Sequence, residues 1–293
     1  MNARISATLA ALVLTLSAAV LTGCASDSTS IVARASAPGE PKPQRAPERP
    51  EIAVERAPES TASDDASRSA ASIIATSVRG TPIHLWRYGH GPARVLLIGL
   101  IHGDEPEGFE RFDKLWASVL ASGMERAVTL HAIPSMNPDG HADRGRNNAR
   151  GVDLNRNWPA SNFRASRRHG PSSLSEPETM GVHEHLASFG PSVIVVFHSA
   201  RSGPFVDPDG PELSSRLGQA FVDGARRSDG RWRLRPEFTN PRGSLGSFAG
   251  LDGDVPTLTI EFERGQSATS ASEAATDGLL EMLAELDRQR MSR

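Results

Sequence analysis

His102 and Glu105 stand three residues apart in Leu100-Ile-His-Gly-Asp-Glu-Pro-Glu-Gly108. An imidazole and a carboxylate at this spacing, held at a strand-to-helix turn, can grip one metal ion from a rigid edge. Nitrogen and oxygen donors of this kind suit zinc. The third donor chosen is His198, which closes the apolar run Val193-Ile-Val-Val-Phe197. Two histidines and one glutamate leave a fourth position for water, the catalytic arrangement rather than the closed structural one. A histidine at a strand end can equally be a polar cap on a core strand. Hydrolysis also needs a base to take a proton from the attacking water. Glu261 and Glu263, in Thr257-Leu-Thr-Ile-Glu-Phe-Glu-Arg264, are candidates. Being two apart, they share one face of a strand. Such a pair also fits an edge strand with one solvated face, and the pattern leaves both glutamates open.

A polar stretch over 135–175 carries Asn137-Pro-Asp-Gly140 and then Arg146-Asn-Asn-Ala-Arg-Gly-Val-Asp-Leu-Asn-Arg-Asn-Trp158. Arginine holds a carboxylate by two parallel hydrogen bonds and stabilises an oxyanion without losing its proton. Several arginines in one loop of a chain with formal charge -3 point to an anionic ligand, against the alternative of a solvated basic loop. His183 and His185 are two apart on an expected helix and diverge. The fourth residue after His183 is Ala187, so no zinc-binding helical His pair exists there. Trp116 and Trp158 read as packing residues.

Strands and helices must position these groups. Strands are expected over 95–101, 127–134, 193–198 and 257–262, and helices over 107–120, 176–188, 213–225 and 271–288. The helix at 176 has a Ser-Glu-Pro-Glu start, which suits an N-cap with Pro in the first turn. The run at 193 is continuously apolar, as in a strand covered on both faces. Alternating strands and helices predict an α/β layered domain. A long loop such as 135–175 in a compact domain is usually functional.

The chain has 293 residues. Its near-neutral charge gives no basic footprint for nucleic acid, so no nucleic-acid partner is expected. Residues 1–23 read as a signal peptide: Arg4 precedes an apolar run from Ile5 to Leu21 that ends in small residues. The only cysteine, Cys24, follows Leu21-Thr22-Gly23 and resembles a bacterial lipobox, with the thiol as the site of lipidation. An uncleaved membrane anchor is the alternative. Either way the domain lies outside the cytoplasm, attached to a membrane through its N-terminus, with no disulfide. Ala25 is not an acidic inner-membrane retention residue, so the outer membrane is expected if the source has one. Residues 24–72 read as a Pro/Ser/Ala-rich tether too polar to offset the entropy of ordering. Residues 73–293 form the expected catalytic domain.

The ordered set His102-x-x-Glu105, Asn137-Pro-Asp-Gly140, Arg146, Gly151-Val-Asp-Leu-Asn-Arg-Asn157, Ser175-Glu-Pro-Glu-Thr179, His198-Ser199, Gly243-Ser-Leu-Gly246 and Pro256-Thr-Leu-Thr-Ile-Glu261 resembles the zinc metallocarboxypeptidase family. The short form with HGDEPEG and GVDLNRNW looks most like its murein-peptide amidase branch. The resemblance implies a three-layer α/β/α domain with a mixed, mostly parallel central sheet. It implies one zinc ion per chain on His102, Glu105 and His198, with Asp153 orienting the first histidine. Glu261 matches the catalytic glutamate rather than Glu263, and Arg146 the arginine that polarises the scissile carbonyl. Asn155 and Arg156 match the pair that binds the substrate's terminal carboxylate. Leu245 falls near the wall of the side-chain pocket, where it offers no charge to select a basic residue.

One departure matters. The digestive branch carries a mobile tyrosine just before the Gly-Ser segment, whereas the single tyrosine here is Tyr88 and Phe238 stands near the expected place. A phenyl ring cannot donate a hydrogen bond, which turns the expected use away from general protein digestion. The expected substrate is a murein peptide, of the γ-D-glutamyl–diaminopimelate type. Alternatives are a carboxypeptidase on ordinary peptides, an N-acyl amino acid deacylase, and a catalytically silent wall-binding lipoprotein.

Overall fold

The structure, a computed structural model, describes residues 72–236 and 240–292. The signal segment, Cys24, nearly all of the tether and Phe238 lie outside the described residues. Among the described residues no helix is long and apolar enough to cross a membrane.

Seven strands form one sheet: β1 (Ser72–Thr76), β2 (Pro82–Tyr88), β3 (Ala93–Ile98), β4 (Val128–Ile133), β5 (Val193–Ala200), β6 (Phe205–Asp209) and β7 (Thr257–Glu263). Their spatial order is β1-β2-β4-β3-β5-β7-β6. The four central strands run parallel, while β1, β2 and β6 pair antiparallel at the flanks. Every residue of β5 from Val193 to Ser199 is buried, which explains its unbroken apolar run.

The helices are α1 (Phe112–Leu120), α2 (Pro138–Ala142), α3 (Pro177–Phe189), α4 (Glu212–Ala225) and α5 (Ala268–Met291). One core joins α1, α4 and α5 to one sheet face through Leu97, Val195, Phe197, Leu258, Ile260, Phe221 and Leu279. The opposite core joins α3 and the loops to Leu96, Ile98, Ile194 and Val196, with Trp158 and Leu245. Side chains alternate across a strand, so one central strand feeds both cores. The result is the expected three-layer α/β/α arrangement. Trp116 and Trp158 are buried packing residues.

Local differences from the sequence expectations have physical causes. The first helix begins at Phe112, not near 107, because Pro106–Gly108 forms a separate 3-10 turn. Glu107 is held there by tertiary contact, its carboxylate accepting from the Gly265 backbone N–H at 2.7 Å. Helix α3 starts with Glu176 at the cap and Pro177 at its first position, but the Glu176 side chain makes no capping bond. Its carboxylate accepts from Asn148 Nδ2 at 2.7 Å, and that amide also donates to Glu178 at 3.1 Å. The Ser-Glu-Pro-Glu segment thus anchors the arginine loop rather than capping its own helix.

Candidate metal and active site

The ends of the parallel strands bring the site together, as expected at the carboxyl edge of an α/β sheet. His102 and Glu105 follow β3. His198 lies on β5, directly opposite Glu261 on β7 in the parallel register. The loop after β3 is pinned by Asn137, whose Nδ2 donates to the Ile101 carbonyl at 2.9 Å while its Oδ1 accepts from Gly140 N–H at 2.9 Å. Gly103 packs directly on Gly140, where a Cβ would fall 2.0 Å from the Gly140 carbonyl carbon. Asp139 ties this corner to the β1–β2 hairpin by accepting from Ser77 Oγ at 2.8 Å and Arg79 N–H at 3.0 Å. The Asn-Pro-Asp-Gly segment is therefore the buttress of the metal turn.

His102, Glu105 and His198 are all buried, and one donor atom of each lies within 4.8 Å of the others. Glu105 Oε2 is 3.0 Å from His102 Nδ1 and 2.7 Å from His198 Nδ1. His102 Nε2 donates to Asp153 Oδ1 at 2.9 Å. That bond leaves Nδ1 as the lone-pair face, and Nδ1 is buried without a hydrogen-bond partner. An orphaned ring nitrogen facing a carboxylate and a second imidazole fits a zinc ion. Burial opposes the charge on Glu105, yet the two imidazoles beside it, with His198 Nδ1 donating to Oε2 at 2.7 Å, hold it well below the usual carboxylate range.

Asp153 is a hub. It accepts from His102, from Arg146 Nε at 3.1 Å, from Arg168 Nη2 at 3.3 Å and from the Asn155 backbone N–H at 3.1 Å. Burial raises its carboxyl, but the His102 hydrogen bond and the positive charges of Arg146 and Arg156 win, so it stays ionised. Partners of this type typically hold 10–100-fold in metal affinity, on the order of the effect expected for Asp153→Asn. Chelator competition on the purified variant measures it, and an unchanged zinc affinity would show that ring orientation does not depend on this carboxylate.

Arg146 also reaches Glu105, donating from Nη1 to Oε1 at 2.8 Å. It lines a cavity of about 260 Å³ together with the three donor residues, Asn155, Arg156, Leu245 and Glu261. Asn155 is held by Leu245, whose backbone N–H donates to Oδ1 at 2.9 Å, and its Nδ2 pairs with His198 Nε2 at 3.2 Å. Arg156 Nη1 donates to the Asn155 carbonyl at 2.6 Å. Leu245 is fully buried, so it borders the cavity as wall.

The two glutamates of β7 separate. Glu261 lines the cavity, and its Oε2 is buried with no hydrogen-bond partner. Burial and the neighbouring Glu105 charge push its carboxyl up to about 7. Glu263 instead forms an ion pair with Arg231 on the exposed side. The helical histidines sit elsewhere, His185 against His131 and His183 against Phe248.

Sequence reasoning missed two cavity residues, Asp207 and Asp209 of β6. The pocket wall at Leu245 is neutral, and its β6 side carries two buried carboxylates. Their only signal was alternation in Phe205-Val-Asp-Pro-Asp209, masked by the proline.

Comparison with known proteins agrees with this geometry. A family model described as zinc carboxypeptidase matches residues 54–203, just over half of the chain. The chain therefore belongs to the zinc carboxypeptidase family. It is 33% identical over 148 residues to murein peptide amidase A of Escherichia coli K12, a stretch covering 45% of this chain and 57% of that protein. It is 36% identical over 123 residues to carboxypeptidase SOL1 of Arabidopsis thaliana, covering 37% of this chain and 24% of that protein. The chain thus spans less than two thirds of these curated relatives. Among solved structures, murein-tripeptide amidase MpaA from Escherichia coli O157 is similar with TM-score 0.53 and 26% identity, covering 76% of this chain and 95% of that one. Bovine thrombin-activatable fibrinolysis inhibitor shares the fold, with TM-score 0.64 at 15% identity over 76% of this chain and 91% of that chain.

Proposed function

We propose that this protein hydrolyses an amide bond next to a free carboxylate in murein peptides, at a bond of the γ-D-glutamyl–diaminopimelate type. The observation that carries the reading is the Glu261 carboxylate, whose buried Oε2 has no hydrogen-bond partner and which shares one cavity with the His102–Glu105–His198 donor set and the Asn155–Arg156 pair. Zinc held by those three residues would supply Lewis-acid polarisation of the scissile carbonyl and of water. Asn155 and Arg156 bind the carboxylate of the leaving residue and so place the amide. Glu261 takes the proton of the attacking water and delivers it to the leaving amine. Arg146 lines the cavity and uses Nε and Nη1 on Asp153 and Glu105; its remaining N–H groups are assigned to the developing oxyanion.

Two similarities support the murein assignment: 33% identity to a murein peptide amidase and 26% to the solved murein-tripeptide amidase. Attachment to the cell envelope through a lipid on Cys24, in the outer membrane if there is one, is part of the same reading. Mass spectrometry of defined muropeptides incubated with the zinc-loaded protein tests it. Release of diaminopimelate from γ-D-glutamyl–diaminopimelate peptides, and none from analogues whose carboxylate is blocked, is expected. Equal cleavage of ordinary peptides would overturn the murein assignment.

A pH dependence follows from Glu261. Its base role requires the ionised form, and its carboxyl stands at about 7 before the positive charge of an ion is added. A nearby cation favours the ionised form and lowers that value. The rising limb of kcat/KM against pH is therefore expected to have its midpoint below about 7. A rate that rises as pH falls through that window would contradict a carboxylate base.

A further inference from the structure

The arginine loop is fastened to the start of α3 at two points, and an asparagine makes each. Asn148, buried, is the first. Its Nδ2 donates to Glu176 Oε2 at 2.7 Å and to Glu178 Oε2 at 3.1 Å. Its Oδ1 accepts from the Arg150 and Val152 backbone N–H groups at 3.1 and 3.0 Å. The amide thus uses both its donors and both its acceptor positions. Its backbone N–H closes the same turn on the Val152 carbonyl at 2.9 Å. Arg146 precedes this turn and Asp153 follows it.

The anchor is itself held firmly. Glu178 is fully buried, and its Oε1 accepts from the Val78 N–H of the β1–β2 hairpin at 2.9 Å. Glu176 Oε1 accepts from Ser175 Oγ at 2.9 Å. Burial pushes the Glu178 carboxyl up, and the bonds from Val78 and Asn148 only partly offset it. A carboxylate at 148 would face two others, and an apolar residue there would leave both without their amide donor.

Asn157, fully buried, is the second point and directly follows Asn155–Arg156. Its Oδ1 accepts from the Glu176 backbone N–H at 3.2 Å. Its Nδ2 donates to the His169 carbonyl at 2.7 Å and to the Ser172 carbonyl at 3.0 Å. Gly170 closes over this amide, where a Cβ would stand 2.6 Å from Nδ2. Neither asparagine is among the residues that line the cavity.

We propose that Asn148 and Asn157 are positioning residues for two different groups of the site: Asn148 fixes Arg146 for the scissile carbonyl, and Asn157 fixes Asn155 and Arg156 for the free carboxylate. This rests on the roles given above to Arg146 and to the Asn155–Arg156 pair. A displacement of about 1 Å at a reacting centre costs up to about 10²-fold in rate. Two anchors acting on two groups move two different kinetic constants.

The test compares Asn148→Ala and Asn157→Ala in the full chain at saturating zinc, on a γ-D-glutamyl–diaminopimelate peptide. Asn148→Ala is expected to lower kcat about 10–100-fold and to leave KM within about threefold. Asn157→Ala is expected to raise KM about tenfold or more and to leave kcat within about threefold. Thermal melts check that both fold, and two milder variants stand behind them. Glu178→Gln turns an NH2 toward one of its two donors, and Ser175→Ala removes an acceptor of Asn157 Nδ2. Each should move the same constant as its asparagine by a smaller factor. Calorimetry of the peptide on Glu261→Gln backgrounds gives a second readout, with affinity weakened by Asn157→Ala and kept by Asn148→Ala. Variants that shift only the melting temperature, or that move kcat and KM together, overturn the proposal. Arg146→Ala and Arg156→Ala, measured alongside, separate the two levels. If these leave kcat and KM respectively unchanged, or if the parent neither binds nor cleaves the peptide, the underlying roles fall. If they act as expected and the asparagine variants do not, the positioning alone falls.

Discussion

Glu261→Gln is expected to bind zinc as tightly as the parent and to lose at least about 10³-fold in kcat. The amide keeps the shape of the carboxylate but cannot accept the proton of water or return it to a leaving amine. Glu261 is not among the three residues whose donors converge, so the metal count should stay at one per chain. Its Oε2 makes no hydrogen bond that the substitution would break. Relief of the repulsion with Glu105 should leave stability equal or slightly higher. Metal analysis and steady-state kinetics on one preparation check both parts. Near-normal turnover with zinc present would remove Glu261 as the base.

The second large effect is at Arg146. Removing one preorganised oxyanion donor costs about 10²–10³ in kcat, and Arg146→Ala should fall in that range. The side chain also bridges Glu105 and Asp153, so a loss of activity alone does not separate the two roles. Zinc affinity does. If Arg146 acts on the oxyanion, the variant keeps most of its zinc affinity and loses kcat at saturating metal. If it serves only to hold the donor residues, added zinc restores kcat, and that result would refute the oxyanion role. Arg146→Lys retains charge but not the forked geometry and should recover only part of the rate.

The site was legible where chemistry and periodicity coincide. His198 closes a run that only a strand buried on both faces explains, and His102 follows another such run. The flanking strands were not. Pro82-Ile-His-Leu-Trp-Arg-Tyr88 opens with proline and mixes charge with aromatics, and Phe205-Val-Asp-Pro-Asp209 contains proline and two acids. Pro82 is tolerated as the first residue of β2, which lies between β1 and β4, and Pro208 because β6 is an edge strand. The choice between Glu261 and Glu263 turns on tertiary position: one is enclosed in the cavity, while the other reaches Arg231. Asp207 and Asp209 were illegible for a related reason. Acidic residues are nearly always solvated, and only the fold of β6 onto β7 shows these two enclosed.

The convergence of Glu105 and His198, 93 residues apart, makes the metal a thermodynamic partner of the fold. No unfolded chain holds these donors together, so the ion binds the native state almost alone. Free zinc at about a thousand times its dissociation constant would add about 4 kcal/mol to the unfolding free energy. That is a large share of what a domain of this size has in hand. Metal supply would then govern how long the protein persists as well as whether it works, and scarcity would remove it through unfolding and proteolysis.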